Sequence, residues 1–281
     1  MQRLDQRTVI VTGASSGIGE AAVRRLVARG ANVVLFARRA ARLQALAAEV
    51  DPAGERTLAV AGDIAVAADR ERLVTRAVER FGGVYALVNN AGYGQRGPVE
   101  SVPLEKVRAN FETNVFALLG LTQAVVPHLR QAGGGRVVNV GSVAGRIARP
   151  LTSVYDATKH ALEAFTDGLR GELKPFGIHV SLVRPGFILT EFVEAADRVS
   201  KDQVQAAGPY APFAQSMSGS ARKLRRIAGK PDDVARVIEH AVAATSPRSH
   251  YAVPGHARVF LFLKWVLPTR LLDHLVRLRR G

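Results

Sequence analysis

The stretch TVIVTGASSGIGEAA (residues 8–22) runs from β-branched residues through a glycine-rich turn into a helical pattern. Gly13, Gly17 and Gly19 stand where the chain must turn tightly and let its backbone approach a ligand closely. The free N–H groups and the dipole at the start of the following helix favour an anion, and a pyrophosphate suits them. Because a strand precedes the loop and a helix follows it, the stretch predicts a dinucleotide-binding unit.

The segments that follow repeat the strand-then-helix pattern. Most of the further strand candidates are near-continuous apolar runs, typical of strands buried on both faces of a parallel sheet. They lie at residues 32–37, 57–63, 85–92, 135–142, 178–186 and 249–255, with helical patterns at 19–30, 41–50 and 231–244. The alternation predicts an α/β fold, a Rossmann-type doubly wound parallel sheet of about seven strands with helices on both faces.

The boundaries of the domain follow from where this pattern changes. We expect a single Rossmann-type domain over residues 1–255 and an apolar, basic C-terminal extension over residues 256–281. After Thr190 the periodicity weakens, and the chain becomes rich in Ala, Ser, Gly and charge. Residues 187–230 are therefore expected to form a variable loop region that closes over the substrate.

The composition narrows the function classes. The 281 residues are 47% apolar, carry a net charge of +15 and include no cysteine, which excludes disulfides and thiolate chemistry. The first residues lack a long apolar segment with a cleavage site, so we expect a cytoplasmic protein. The basic residues are spread along the chain without a nucleic-acid-binding motif, so nucleic acid is not an expected partner.

The second strand candidate ends in FARRAARL (36–43). An acidic residue at this point would bind the ribose hydroxyls of NAD(H) and repel a 2′-phosphate. Arg38 stands there instead, and its guanidinium offers a planar fork of donors suited to phosphate. A solvated arginine pair at a helix start is the alternative, although cations are mildly disfavoured at that position. We therefore predict NADP(H) as the cofactor.

A tyrosine and a lysine four positions apart, in YDATK (155–159), share one face of a predicted helix. Such a pair is common by chance, but here it has two polar companions. Ser142 closes the fifth strand shortly before Tyr155, and Asn114 lies in the preceding long helix. Free tyrosine, with a pKa of about 10, is a poor acid–base catalyst at neutral pH, and a nearby ammonium favours its phenolate. The pattern indicates a catalytic tyrosine tuned by a lysine.

Together these residues resemble the short-chain dehydrogenase/reductase family over about residues 7–190. The motifs that carry the resemblance are TGASSGIG (12–19), GD (62–63), NNAG (89–92), Asn114, Ser142, YDATK (155–159) and RPG with Thr190 (184–190). The resemblance implies hydride transfer between a nicotinamide and a carbonyl/alcohol group, without a metal. It makes Tyr155 the acid–base catalyst and has Ser142 bind the substrate oxygen. Lys159 would lower the pKa of the tyrosine and hold the nicotinamide ribose, while Asn114 would kink its helix and hold a water in a proton relay to Lys159.

The resemblance also implies which residues contact the cofactor. They are Gly13, Ser15, Ser16, Gly17, Ile18, Gly19, Arg38, Asp63, Ile64, Asn90, Ala91, Gly92, Tyr155, Lys159, Pro185, Gly186, Ile188 and Thr190. Within this set, Asp63 and Ile64 would meet the adenine, and Ser15 would share the 2′-phosphate with Arg38. Ser16 stands where some NADP-dependent relatives carry a basic residue. Phosphate recognition is therefore expected to rest mainly on Arg38.

The C-terminal extension contains the apolar run VFLFLKWVL (259–267), which is too short to span a bilayer as a helix. Its large apolar residues and the arginines that follow are Phe260, Phe262, Trp265, Leu267, Arg270, Arg277, Arg279 and Arg280. These residues either pack on the domain or across a subunit interface, or rest peripherally on an anionic membrane surface. In both cases the apolar surplus favours a lipophilic substrate that resembles a steroid, a retinoid or a fatty chain.

Three functions follow from these patterns. The leading hypothesis is an NADP(H)-dependent oxidoreductase whose partner is a small carbonyl/alcohol substrate. The second is a 3-oxoacyl-thioester reductase of the same fold, and the third is a non-catalytic protein that senses NADP(H). Ser142, Tyr155 and Lys159 are all present, which argues against the third hypothesis. We also expect a homo-oligomer, either a dimer or a tetramer.

Overall fold

The computed structural model describes residues 3–201, 208–211 and 228–272, and its centre is one parallel sheet. The strands are β1 (Thr8–Thr12), β2 (Asn32–Ala37), β3 (Thr57–Ala61), β4 (Ala86–Asn89), β5 (Gly135–Val140), β6 (Ile178–Pro185) and β7 (His250–Val253). They pair in the order β3-β2-β1-β4-β5-β6-β7, and every pair is parallel. The predicted doubly wound sheet of about seven strands is confirmed.

Helices cover both faces of this sheet. Their bounds are α1 (Gly17–Ala28), α2 (Ala40–Val50), α3 (Ala67–Phe81), α4 (Leu104–Phe111), α5 (Ala117–Gln131), α6 (Ser153–Leu173), α7 (Phe192–Val199), α8 (Pro231–Ala243) and α9 (Gly255–Val266). Successive strand residues point to opposite faces. Val9 and Val11 therefore join the core under α1, α2 and α8, whereas Ile10 joins the core under α3 and α5. Burial on both faces explains why the strands read as continuous apolar runs.

The strands end slightly earlier than the apolar patterns suggest. β4 ends at Asn89 and β5 at Val140, whereas the sequence patterns continue to residues 92 and 142. The chain leaves the sheet at these points, and the residues that follow carry the polar motifs. Because β1 and β4 are neighbours and their connections run to opposite sides, their carboxyl ends form the crevice where such folds bind ligands.

Two predicted segments fall largely outside the described residues. Only Tyr210 and its immediate neighbours at 208–211 and residues 228–230 are described between 202 and 230, and the arginines at positions 277, 279 and 280 lie beyond residue 272. Within the described ranges, no helix combines the length and the apolar character needed to cross a lipid bilayer. The run at 259–267 forms most of α9, the helix that follows β7.

Candidate active site

The glycine loop after β1 leads directly into α1. Gly13 and Gly17 adopt left-handed backbone conformations, with φ of +65° and +58°, which favour glycine. α1 begins at Gly17, and the side chain of Ser16, its N-cap residue, makes no capping hydrogen bond. The first N–H groups of α1, at Gly17, Ile18 and Gly19, therefore point out of the helix end, where an anion is stabilised.

Close packing holds this loop against the end of β4. A Cβ atom on Gly19 would overlap the carbonyl oxygen of Gly13 and lie 2.7 Å from Nδ2 of Asn90, so no larger residue fits. Asn90 donates from Nδ2 to the carbonyl oxygen of Thr12 (2.9 Å). Thr12 Oγ1 in turn accepts the N–H groups of Asn90 (2.9 Å) and Ala91 (3.0 Å). These bonds fix the glycine loop beside the end of β4, and the exposed N–H groups of this cradle fit the pyrophosphate of the predicted dinucleotide.

The structure brings the four predicted catalytic residues together on the other side of the crevice. Tyr155 and Lys159 lie one turn apart near the start of α6, both almost fully buried, and Lys159 Nζ is 5.9 Å from the centre of the tyrosine ring. Ser142 follows β5, and its Oγ accepts the N–H of Ala144 (3.1 Å). That contact leaves the hydroxyl proton of Ser142 available to another acceptor.

Burial dominates the electrostatics of this cluster. It raises the pKa of Tyr155 to about 12, and the side chain of Ser142 opposes that rise. Burial also lowers the pKa of Lys159 to about 8. Loss of hydration outweighs the effects of Ser142 and of the charge of Arg149, which both lower the pKa of the tyrosine. Lys159 Nζ donates to the carbonyl oxygen of Val140 at 2.9 Å.

Asn114 lies in a π turn, Glu112–Phe116, that interrupts the long helix formed by α4 and α5. The interruption agrees with the kink that the sequence resemblance implies. Nδ2 of Asn114 donates to the carbonyl oxygen of Tyr93 and to Oγ1 of Thr158, each at 3.0 Å, and Oδ1 accepts the Tyr93 N–H at 3.0 Å. The side chain thus ties the strand end after β4 to α6, next to Lys159.

Gly92 connects the cradle to the catalytic cluster. A Cβ atom on Gly92 would lie 2.9 Å from Oδ1 of Asn114 and 3.9 Å from Nζ of Lys159. Ala91 precedes it and is held by Thr12. A ligand that extends from the glycine loop past Gly92 therefore reaches Lys159 directly, as the sequence analysis expects for the nicotinamide end of a cofactor.

The loop after β6 covers the glycine loop. A Cβ atom on Gly17 would lie 3.1 Å from Cγ2 of Thr190, which places the two segments in contact. Gly186 donates its N–H to the carbonyl oxygen of Val253 (2.8 Å), and Ile188 is buried and pairs with Gly229. The loop therefore leaves the sheet at Pro185 and is held above the crevice from both ends.

α7 continues this cover over Tyr155. The ring of Phe192 packs against Tyr155, with centroids 5.6 Å apart. Asp197 forms an ion pair with Arg96, and Ser200 Oγ accepts the N–H of Arg96 at 2.7 Å. The sequence analysis assigned this region only as a variable loop, whereas the structure shows that it begins with an amphipathic helix of eight residues.

The two arginines that follow β2 have different surroundings. Arg38 is exposed and, within the described ranges, has neither a hydrogen bond nor an ion pair. Arg39 instead donates to Oγ of Ser15 (3.1 Å) and Oγ of Ser16 (2.7 Å), and it pairs with Glu191 at 2.9 Å. Arg42 also pairs with Glu191, at 2.7 Å. The two adjacent arginines in FARRAARL stand out in the sequence. Nothing in the sequence indicates that Glu191 is their partner.

Asp63 and Ile64 lie at the rim of the crevice beyond β3. The Asp63 side chain accepts the N–H of Ala65 (3.0 Å), while its own N–H bonds to Oδ2 of Asp69 (2.7 Å). Ile64 is buried. The charges of Arg38 and Asp63 both act on the pKa of Tyr93, although burial is the main cause that raises it. Tyr93 thus lies between the adenine side of the predicted site and Asn114, a position the sequence motifs did not reveal.

Two polar contacts that the sequence analysis missed anchor α6, which carries the tyrosine and lysine. The buried carboxylate of Asp156 accepts the N–H of Arg149 (2.8 Å) and Oγ1 of Thr152 (2.8 Å). Arg184 on β6 makes a two-pronged ion pair with Glu163, at 2.7 and 2.6 Å. Asp156 follows Tyr155 directly in YDATK, so the sequence could have indicated that it supports the site. No sequence pattern indicates the contact between Arg184 and Glu163.

Comparisons with known proteins agree with this geometry. Residues 7–200 match the model of the short chain dehydrogenase family. The chain is 34% identical over 239 residues to an oxidoreductase of Methylorubrum extorquens, which covers 85% of this chain and 91% of that protein. It is 31% identical over 274 residues to the NADPH-dependent 3-dehydrocapnine reductase of Ornithobacterium rhinotracheale, with 95% of each chain covered.

A solved structure gives the same result. The 3-ketoacyl-(acyl-carrier-protein) reductase of Brucella melitensis, complexed with NADH, superposes with a TM-score of 0.74 at 29% identity. The superposition covers 90% of this chain and 99% of that one. The family match spans both the glycine loop and the tyrosine–lysine pair, and the relatives match over most of their length. The chain therefore belongs to the short-chain dehydrogenase/reductase family of oxidoreductases.

Proposed function

We propose that this protein is an NADP(H)-dependent oxidoreductase that interconverts a carbonyl and an alcohol on a lipophilic substrate. The observation that carries the proposal is the buried Tyr155–Lys159 pair, with Ser142 beside it, at the crevice that the glycine loop opens. A buried ammonium that has no carboxylate partner among the described residues is costly, so a reason beyond folding is needed to retain it.

The glycine cradle and Gly92 fit a dinucleotide that reaches from the loop to Lys159. The nicotinamide ring, when bound, supplies or accepts the hydride. At neutral pH the raised pKa keeps the proton on Tyr155, which is the form that carbonyl reduction needs. Oη of Tyr155 gives that proton to the substrate oxygen, and the Ser142 hydroxyl donates a hydrogen bond to the same oxygen. Lys159 stabilises the phenolate that remains.

The preference for NADP(H) rests on the positive end of the crevice. Arg38, Arg39 and Arg42 surround the end of β2, where no acidic residue precedes them to repel a 2′-phosphate. Ser15 and Ser16 add hydroxyl donors beside Arg39. One similar reductase uses NADPH and another is complexed with NADH, so similarity to relatives does not decide between the two cofactors. The proposed preference for NADP(H) therefore depends on the residues at this end of the crevice.

A lipophilic substrate suits the residues around the tyrosine. Phe192 packs on Tyr155, and Leu189, in the loop before it, exposes 56% of its surface. A 3-oxoacyl-thioester reductase is the second candidate, because the chain resembles a 3-ketoacyl-(acyl-carrier-protein) reductase over 99% of the length of that reductase. Both candidates use the same acid and the same cofactor and differ only in what the loop region admits.

The loss of NADPH absorbance in the near ultraviolet tests these candidates in one experiment. The purified protein is mixed with NADPH or NADH and with two substrate panels, hydrophobic ketones and 3-oxoacyl thioesters. We expect oxidation of NADPH, faster than that of NADH, with at least one hydrophobic ketone. Turnover confined to the thioesters would favour the second candidate. NADPH binding without turnover of any compound in either panel would favour the third hypothesis, a non-catalytic protein that senses NADP(H).

A further inference from the structure

α9 carries a row of large apolar side chains on its outer face. Val259, Phe262 and Val266 are three to four positions apart and so lie on one side of the helix, with Trp265 beside them. Phe262 exposes 59% of its surface and Trp265 exposes 82%. Their rings are 6.2 Å apart, so they form one continuous apolar patch rather than scattered contacts. We call these four residues the outer face of α9.

The inner face of the same helix is already used. Ala257 is fully buried, and Phe260 packs edge-on against His256, with ring centroids 6.1 Å apart. The sequence analysis treated the large apolar residues of this segment as one set with one role. The structure divides them, because α9 packs on the domain through Ala257 and His256, whereas Phe262 and Trp265 remain mostly exposed.

The charged residues of α9 itself, Arg258 and Lys264, are both cationic. No acidic residue occurs from position 240 to position 272, whereas Arg258, Lys264 and Arg270 lie on α9 or just after it. Arg258 stands among the exposed positions of the helix, and Arg270 is exposed as well. An exposed tryptophan and phenylalanine bordered by cations is the pattern of a helix that lies in the interface of an anionic membrane.

We propose that the outer face of α9 docks on the surface of an anionic lipid bilayer. Phe262, Trp265 and Val266 enter the boundary between headgroups and acyl chains, and Arg258 and Arg270 face the lipid phosphates. A second copy of this chain would bury the same apolar residues, but it would also bring the same cations together, which like-charge repulsion disfavours. The positive charge is what selects the lipid surface.

The position of α9 connects this surface to the crevice. His256, in the first turn of α9, accepts the N–H of Phe187 at Nε2 (3.0 Å), and a Cβ atom on Gly186 would lie 2.5 Å from that nitrogen. The docking face is thus built on the helix that touches the loop over the proposed active site. If the proposed function holds, a lipophilic substrate reaches this loop from the bilayer itself. Docking does not depend on that step.

Trp265 is the only tryptophan of the chain, so its fluorescence reports on this face alone. The full chain is titrated with vesicles of phosphatidylglycerol and phosphatidylcholine, and separately with phosphatidylcholine alone. We expect a blue shift of the emission and protection from an aqueous quencher with the anionic vesicles, both weakened by added salt. An unchanged spectrum at all lipid concentrations overturns the proposal. A blue shift that grows with protein concentration in the absence of lipid also overturns it, in favour of self-association.

Two matched variants identify the side chains responsible, with co-sedimentation as the readout. Phe262→Ser removes an exposed ring from the docking face and should weaken vesicle binding roughly tenfold or more, the effect of not burying one phenylalanine. Phe176→Ser removes a ring of comparable exposure, 41%, at the turn after α6 and should bind as the wild type does. Equal binding of both variants would contradict the proposed face. The circular dichroism of each variant shows that it folds.

Discussion

Positive charge stands at both ends of the crevice, but in opposite surroundings. Lys159 is almost fully buried, and among the described residues it has no acidic partner, only the carbonyl oxygen of Val140. Arg39 and Arg42 are partly exposed and share the carboxylate of Glu191. Burial therefore destabilises the charged form of Lys159 at one end. At the other end the carboxylate of Glu191 already balances the charge of Arg39 and Arg42, and another anion could replace it.

The difference indicates what each end is suited to do. Burial lowers the pKa of Lys159 to about 8 and raises that of Tyr155 to about 12, so at neutral pH both groups hold their protons, and the lysine is the first of the two to lose its proton as the pH rises. The guanidinium groups of Arg39 and Arg42 hold the pKa of Glu191 below its ordinary value, and solvent screens all three. The buried end suits proton transfer, and the exposed end suits binding of an anion that replaces a carboxylate.

The largest effect is expected from Tyr155→Phe, which removes only the transferable proton. We expect kcat to fall about a thousandfold while the affinity for NADPH stays within about twofold, because general acid catalysis contributes on this scale. Steady-state kinetics and a fluorescence titration of NADPH measure the two quantities. Phe192→Leu, which changes the ring that packs on Tyr155, serves as a control and should retain most of kcat. Retention of most activity by Tyr155→Phe would exclude it as the acid.

Lys159→Met should lower kcat and at the same time stabilise the fold. The pKa of Lys159 falls from its ordinary value of 10.5 to about 8, which corresponds to about 3 kcal/mol against the charged folded state. Loss of the hydrogen bond to Val140 costs about 1 kcal/mol, so we expect a net gain of about 2 kcal/mol in the free energy of unfolding at pH 7. Chemical denaturation measures this gain.

The pH dependence of that gain follows from the direction of the shift. Below pH 8 the lysine is charged in both states, and the wild type carries the full penalty of burial. Between pH 8 and about 10.5 the unfolded wild type binds a proton that the folded one does not, so wild-type stability rises with pH. The advantage of Lys159→Met should therefore be constant below pH 8 and shrink above it. An advantage that is the same at pH 7 and pH 10 would show that the folded lysine titrates at its ordinary value.

Arg39→Ser tests the exposed end. Loss of hydrogen bonds to a charged group costs about 1.5–3 kcal/mol, so we expect the Kd of NADPH to rise roughly tenfold to a hundredfold with little change for NADH. The matched variant Arg38→Ser should have the smaller effect, because Arg39 and not Arg38 contacts Ser15 and Ser16. A larger effect of Arg38→Ser would return the main role to the residue that the sequence analysis favoured.

The smallest effect is expected from Glu191→Gln. Removal of the charge frees Arg39 and Arg42 from a partner that competes with a phosphate, and exposed ion pairs contribute about 0.2–1 kcal/mol. The affinity for NADPH should therefore rise up to about fivefold, and that for NADH should not change. Glu105→Gln, on the exposed start of α4, is the matched control. A weaker affinity for NADPH in Glu191→Gln would mean that the carboxylate orients the arginines instead of occupying them.

Patterns along the chain predicted the sheet because burial on two faces leaves a direct trace in the sequence. Every residue of β1 is buried, and continuous runs of Val, Ile and Thr reflect this. The glycine loop was predictable for a similar reason, since Gly13, Gly17 and Gly19 each meet a local steric requirement. Local requirements of this kind are visible in a short stretch of sequence.

Contacts between distant polar residues were not predictable in this way. Glu191 lies 152 positions after Arg39, and Glu163 meets Arg184 across two elements, so no periodicity records either pair. The division of the C-terminal apolar residues between Phe260 inside and Phe262 outside depends on how α9 is rotated against the sheet. The pKa of Tyr155 depends on burial, which a motif does not measure.

The separation of chemistry from binding is tested most directly by single-turnover kinetics of Tyr155→Phe and Arg39→Ser, side by side. Each variant is loaded with NADPH to a measured saturation and mixed with the best substrate, and NADPH oxidation is followed by absorbance. We expect the loaded Tyr155→Phe protein to oxidise NADPH about a thousandfold more slowly than the wild type. The loaded Arg39→Ser protein should react within a few-fold of the wild-type rate once enough NADPH is supplied. Equal losses of rate in the two saturated variants would contradict the division of roles between the buried and the exposed end.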